Sequence, residues 1–137
     1  WEIYCLDRIS GDVIWSKEAY KGVPRVERHT KATQANSTPV TNGEYVVALF
    51  GSEGMVCYDF EGNEKWRVDL GILDAGWFFN ENTQWGHSSS PIIYKDYVIV
   101  QCDRSKDSFI ANNCLILAIC SFKFCFIFFI KLCKTQK

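Results

Sequence analysis

Short runs of alternating apolar and polar residues, separated by glycine-containing turns, follow one another over most of the chain. They are rich in Val, Tyr, Phe and Trp, which favours strands. No stretch of residues 1–111 has the 3.6-residue apolar spacing that a helical repeat requires. The clearest runs lie at residues 37–41, 45–50, 55–60 and 64–70, with turn residues at 42–43, 51–54 and 61–63. The pattern therefore predicts an all-β chain of short antiparallel strands.

The pattern of strands and turns repeats with a period of 52 residues. Polar, proline and aromatic positions recur together, which is the mark of an internal repeat. Matched pairs include Cys5 with Cys57, Asp7 with Asp59, Pro39 with Pro91 and Tyr45 with Tyr97. Four short antiparallel strands per repeat are the content of one β-propeller blade. We expect a β-propeller fragment of about two and a half four-stranded blades over residues 1–111.

Each copy contains a hairpin in which an Asp precedes a glycine turn and a Trp returns on the next strand. The residues are Asp7, Gly11 and Trp15 in the first copy and Asp59, Gly62 and Trp66 in the second. The carboxylate can accept backbone N–H groups of the turn, and glycine supplies the positive φ of the reversal. The indole is large enough to wedge between neighbouring blades. We expect these six residues to hold the fold together without taking part in chemistry.

These hairpins resemble the Ala-x-Asp-x-x-Thr-Gly-x-x-x-Trp signature of PQQ-like (pyrroloquinoline quinone-like) β-propeller repeats, with Cys in place of Ala and Ser10 in place of Thr. Ser89-Ser90-Pro91 is similar to the Ser-Ser-Pro opening of the inner strand in that family. The resemblance covers roughly residues 3–111 and implies a periplasmic, cell-envelope or secreted protein. The family includes quinoprotein dehydrogenases, an outer-membrane assembly lipoprotein and many envelope proteins, so the fold alone does not imply an activity.

Two connections, residues 19–36 and 71–88, are much longer than a blade needs, and long loops in compact repeats usually carry function. We expect both to project from one face. The candidate binding residues are Arg25, Arg28 and His29 in the first loop and Trp77, Phe78, Trp85 and His87 in the second. Aromatic rings beside polar groups suit a protein or small-molecule partner. The alternative is that the aromatic rings pack the loop and the two histidines only bond within it.

The sequence contains no recognisable catalytic or metal-binding motif. Cys5, Cys57 and Cys102 are expected to be small buried hydrophobic residues. Within the family that the repeats resemble, quinoprotein dehydrogenases stack their cofactor on a disulfide between adjacent cysteines. This chain has no adjacent cysteine pair. We therefore expect a non-catalytic scaffold without a cofactor. The first alternative is a fragment of a quinone-dependent dehydrogenase, and the second is a membrane-tethered propeller.

Charge is distributed unevenly between the repeat region and the tail. Residues 1–111 carry 11 basic and 16 acidic side chains, a formal charge of −5, whereas residues 112–137 carry four lysines and no acidic residue. An acidic body offers no basic stripe for a nucleic acid, and we expect no such partner.

Residues 112–137 depart from the repeat, which at this point requires an Asp, a glycine turn and a Trp. Of the 17 residues Cys114–Ile130, 15 are apolar. This run is marginal for a bilayer, which needs about 20 residues, and Lys123 near its centre is costly. Its Phe, Ile, Lys, Cys and Asn bias is typical of translated A/T-rich non-coding sequence. We expect residues 112–137 to be a frameshift or intron read-through outside the native fold. The alternatives are a divergent blade and a genuine membrane anchor. We expect membrane association only if the tail is such an anchor.

Overall fold

Three antiparallel sheets make up the computed structural model, which describes residues 1–74, 85–104 and 107–115. The predicted all-β class is confirmed, because the helical structure of the described residues is one 3-10 turn, Gly51–Glu53. In that part of the chain, no helix is long and apolar enough to cross a membrane. Trp77, Phe78 and all tail residues after Leu115 lie outside the described residues.

The strands follow the predicted order. The first sheet pairs β1 with β2, the middle sheet has the order β3-β4-β5-β6, and the third sheet has the order β7-β8-β9. The bounds are β1 Glu2–Leu6, β2 Val13–Glu18, β3 Val40–Thr41, β4 Tyr45–Leu49, β5 Met55–Asp59, β6 Glu64–Val68, β7 Ile92–Tyr94, β8 Tyr97–Cys102 and β9 Phe109–Cys114. Every sheet is a meander of neighbouring strands in chain order.

The sequence repeat is also a repeat of strand register. Cys5 pairs with Trp15 in the first sheet, and Cys57 pairs with Trp66 in the middle sheet. The register shifts directly after the cysteine in both hairpins, which marks a bulge at the same place. The turn glycines Gly11 and Gly62 have φ values of 78° and 80°. The two hairpins are therefore copies of one local structure.

The aspartates of these hairpins organise their turns. Asp7 Oδ1 accepts the backbone N–H groups of Ile9 and Ser10 at 2.9 and 2.8 Å. Asp59 Oδ1 accepts the backbone N–H of Asn63 at 2.7 Å, and the Asp59 carboxylate also pairs with Lys65 at 2.7 Å. The pKa of Asp59 is held below its ordinary range, chiefly by Lys65. These carboxylates are occupied by their own turns.

The middle sheet is packed on both faces. One face of β4 and β5 contributes Val47, Leu49, Met55 and Cys57 to a core shared with the third sheet. The alternating residues of the opposite face, Ala48, Val56 and Tyr58, pack with Ile3 and Ala19 from the first sheet and the connection that follows it. Because successive side chains of a strand point to opposite faces, β5 is buried along its whole length. The three sheets thus stack face to face.

The two equivalent tryptophans bridge neighbouring sheets in the same way. Trp15 Nε1 donates to the carbonyl of Phe60 at 2.8 Å, and Trp66 Nε1 donates to the carbonyl of Leu115 at 3.1 Å. Each acceptor directly follows the third strand of its repeat, β5 or β9. Trp66 is 4% exposed, whereas Trp15, on the two-stranded first sheet, remains partly exposed. The contact between successive sheets is therefore itself repeated.

Strand β9 continues to Cys114, three residues beyond the boundary expected at residue 111. Tyr45 pairs with Asp59 in the middle sheet, and its equivalent Tyr97 pairs with Cys114 in the third. Cys114 therefore takes the place of Asp59, although it lies 55 residues later and not 52. The three additional residues belong to the β8–β9 connection. Residues 112–114 belong to the third sheet, and Leu115 is 2% exposed in its core.

Truncation tests this boundary. A chain ending at Leu115 should keep the third sheet, whereas one ending at Ala111 loses three of the six β8–β9 residue pairs and the carbonyl that Trp66 bonds. Hydrogen exchange of the β8 amides, compared between the two truncations, measures the difference. We expect faster exchange in the shorter chain only. Equal protection in both would show that residues 112–115 are not part of the sheet.

Candidate functional site

Both long connections leave the same end of the sheets. Met55 at the start of β5 pairs with Val68 at the end of β6, so the 3-10 turn lies beside the beginning of the second long loop. The first long loop joins the end of β2 to the start of β3. Arg67, near the end of β6, donates to the carbonyl of Ala19 just after β2, and Val40 at the start of β3 pairs with Val47 of β4, so both ends of this loop lie here as well. We call this end the loop end. The β1–β2 turn, which contains Ile9, lies at the opposite end.

The two long loops contact each other at the loop end. The ring of His29 stacks on Trp85, with centroids 4.4 Å apart and an interplanar angle of 19°. Asn36 Nδ2 donates to the carbonyl of Trp85 at 3.3 Å. Ser37 Oγ donates to the carbonyl of Ser89 at 2.9 Å, and the backbone N–H of Thr38 donates to Ser90 Oγ at 2.9 Å. We name this contact of residues 29–38 with residues 85–90 the loop joint.

Arg25 fixes the first loop to the middle sheet. Its guanidinium donates two hydrogen bonds to the carboxylate of Asp69, at 2.7 and 2.9 Å. Its backbone N–H donates to Glu53 Oε1 at 2.8 Å, and its Nε lies 3.7 Å from Glu53 Oε2. The pKa of Asp69 is lowered, chiefly by Arg25. Arg25 is thus a structural anchor, and its guanidinium is occupied by two carboxylates.

The second loop starts from the same anchor. The backbone N–H of Gly71 donates to Asp69 Oδ1 at 2.8 Å. The backbone N–H of Leu73 donates to Ser52 Oγ at 2.9 Å, and the Leu73 side chain is fully buried. Glu53 and Ser52 belong to the 3-10 turn, so this turn supports both loops. The loop end is therefore built on a rigid base.

His87 lies beneath the loop joint and is 6% exposed. A methyl group placed on Gly51 would come within 3.4 Å of the His87 Cβ, so the base of this side chain packs closely on the 3-10 turn. Its Nε2 is buried without a hydrogen-bond partner. Burial lowers the pKa of His87, and Asp103 opposes that shift. The imidazole is consequently held neutral.

An open groove of about 400 Å³ borders the loop joint on the first loop. Its lining includes Val23, Pro24, Val26, Glu27, Arg28 and Gln34. Val23 is 85% exposed, and Trp85 on the adjoining loop is 50% exposed. Arg28 donates to the carbonyls of His29 and Thr30, at 3.1 and 3.5 Å. The loop end therefore presents a shallow, mixed apolar and charged surface.

A metal site or a reactive thiol would depend on the titratable groups of the described residues. Among residues 1–74, 85–104 and 107–115, no group of three or more His, Cys, Asp or Glu side chains has metal-binding geometry. Burial raises the pKa of the Cys57 thiol to about 12 and that of Cys102 to about 11, so both thiols stay protonated at neutral pH.

Comparison with known proteins adds no identity. No family model, curated protein or solved structure matches this chain. The interpretation of the fold therefore rests on the repeat and on the sheets themselves.

Of the residues predicted from the sequence, the structure brings His29 and Trp85 together and places His87 beneath them. The guanidinium groups of Arg25 and Arg28 bond groups of the chain itself, Asp69 and the carbonyl of His29. Trp77 and Phe78 lie outside the described residues. Sequence analysis missed Glu53 and Asp69. Both follow strands and resemble ordinary polar turn residues, and only the packed structure shows that the Glu53 side chain is 1% exposed.

Proposed function

We propose that the chain is part of a non-catalytic PQQ-like β-propeller scaffold that binds a protein or small-molecule partner at its loop end. The repeat of hairpin register supports the propeller architecture, as does the repeated indole–carbonyl bond between sheets. Propeller blades are four-stranded meanders that pack face to face around an axis. In this arrangement the first sheet is half a blade, the middle sheet a complete blade and the third sheet three strands of the next.

The observation that carries the binding proposal is the loop joint. The two long loops are equivalent segments 52 residues apart in the repeat. If they were only long linkers, each would be expected to pack on its own sheet alone. Instead, both loops are bonded to Asp69, and they contact each other through the stacked rings of His29 and Trp85. Binding surfaces are commonly built from loops held by a rigid scaffold, with aromatic anchors among polar groups. The half-exposed Trp85, which stacks on His29 in the loop joint, meets that description.

Site-specific photo-cross-linking tests the proposal. A photoreactive phenylalanine analogue is placed at Val23 or Trp85 on the loop end, or at Ile9 on the opposite end, which is 92% exposed. After irradiation in the cells that make the protein, adducts are detected by intact mass. We expect adducts from the two loop positions and none from Ile9. Adducts from Ile9 at equal yield, or none from either loop position, would contradict a loop-end binding surface.

A further inference from the structure

The chain contains two histidines, and both belong to the loop joint or its support. His29 is partly buried and stacks on the half-exposed Trp85, whereas His87 is 6% exposed. Histidine changes its charge near neutral pH, so its environment decides which protonation state a structure tolerates. The environments of these two residues differ sharply.

Of the described residues, one carboxylate favours the charged form of the buried imidazole, and burial outweighs it. Nε2 has no hydrogen-bond partner among the described residues, and in the imidazolium both ring nitrogens carry a proton, so protonation would place a charge and an unsatisfied N–H donor in the interior. Asp103, which directly follows β8, is the charged group that acts on His87. The 3-10 turn on which the His87 side chain packs carries one further carboxylate, that of Glu53. Glu53 is already engaged by Arg25.

His87 also sits in the segment that holds the joint closed. Residues 85–90 supply the Trp85 ring, the carbonyls bonded by Asn36 and Ser37, and the Ser90 hydroxyl bonded by Thr38. Any change that lifts this segment from Gly51 therefore separates the two long loops. The packing of His87 and the four cross-loop contacts therefore depend on the same position of residues 85–90.

We propose that His87 is an acid-sensitive latch: its protonation releases residues 85–90 from the 3-10 turn and opens the loop joint. The latch rests on the proposed function, since it regulates the same binding surface. Above the ordinary pKa of 6.5 the imidazole is neutral whether the segment is docked or released, and docking is fully favoured. In the docked state the pKa is lowered, so as the pH falls below 6.5 the released segment takes up the proton first. Docking is lost progressively down to the docked pKa.

Hydrogen exchange of the Thr38 amide, which bonds Ser90 Oγ, reports the latch without any partner. Corrected for intrinsic exchange, its protection should fall by up to about tenfold between pH 7.5 and 5.5, because one proton is taken up on release. Amides of β4 and β5 should keep their protection. His87→Gln should remove the pH response, and the matched control His29→Gln should retain it.

A second variant keeps the test independent of how well His87→Gln folds. Asp103→Asn removes the carboxylate that raises the pKa of His87 and should enlarge the response. The latch is overturned by a pH-independent Thr38 amide, by an unchanged response in His87→Gln, or by parallel loss of protection in β4 and β5. Because cross-linking is done at neutral pH and exchange without a partner, failure of the latch and failure of the binding surface are distinguishable.

Discussion

Replacing Trp66 with alanine is expected to lower the free energy of unfolding by about 3–5 kcal/mol, the range for removing a buried large aromatic side chain. The indole is 4% exposed in the core between the middle and third sheets, and its Nε1 holds the carbonyl of Leu115. The substitution leaves a cavity and an unpaired buried carbonyl. Chemical denaturation followed by circular dichroism measures the change.

Trp15→Ala is the matched control, because Trp15 occupies the same register position and makes the same type of bond. It is only partly buried, so its loss should cost clearly less than the loss of Trp66. Trp66→Phe should recover most of the packing but not the hydrogen bond. Equal costs at the two tryptophans, or a cost below about 1 kcal/mol at Trp66, would contradict the packing described for the third sheet.

Replacing Gly54 with alanine is expected to destabilise the protein by about 2–5 kcal/mol, from backbone strain combined with a steric clash. Gly54 has a φ of 99°, and a Cβ at this position would lie 2.5 Å from the carbonyl oxygen of Val68. That oxygen belongs to the end of β6, so the clash is with backbone that cannot rotate away. The 3-10 turn that supports both loops should be distorted, and thermal unfolding together with Thr38 exchange should report it.

Gly11→Ala separates the two contributions. Gly11 has a φ of 78°, but a Cβ there would meet no atom within 4 Å. Only the strain of a positive φ remains, about 1–2 kcal/mol. A Gly11→Ala effect as large as that of Gly54→Ala would show that the close approach to Val68 is not what requires glycine in the 3-10 turn.

Local signals predicted the strands of the middle sheet well. The alternation in Glu64–Val68 and the turn residues on either side of Met55–Asp59 bound these strands nearly as the structure has them. The sequence predicted that the two hairpins match, and the structure adds that the register shifts after Cys5 and Cys57 in both. Hairpins are determined by neighbouring residues, and so a single sequence carries enough information to place them.

The end of the third sheet could not be predicted by the same means. A fixed 52-residue shift makes Phe109 the equivalent of Cys57. The strand pairing makes Asn112 its equivalent, because the β8–β9 connection has three additional residues. Without the pairing of Tyr97 with Cys114, the strand appeared to stop at residue 111. An insertion in a turn leaves the hydrophobic pattern of the flanking strands unchanged, so it cannot be located until the strand pairing is known.

The loop end was predicted only as a location. Loop length pointed to residues 19–36 and 71–88, but the ion pairs of Arg25 with Glu53 and Asp69 span 28 and 44 residues. Contacts of that separation depend on how sheets stack, which local pattern does not specify. The burial of His87 depends in the same way on its approach to Gly51.

If the three sheets are successive copies of one unit around a common axis, an experimental structure will show equal relations between neighbouring sheets. Superposing the first sheet on β5–β6, and β3–β5 on the third sheet, yields two rotations. The account predicts equal rotations of about 45–90°, as four to eight blades require, about one shared axis with little translation along it. Unequal rotations, or a steady translation like that of a solenoid, would contradict the propeller.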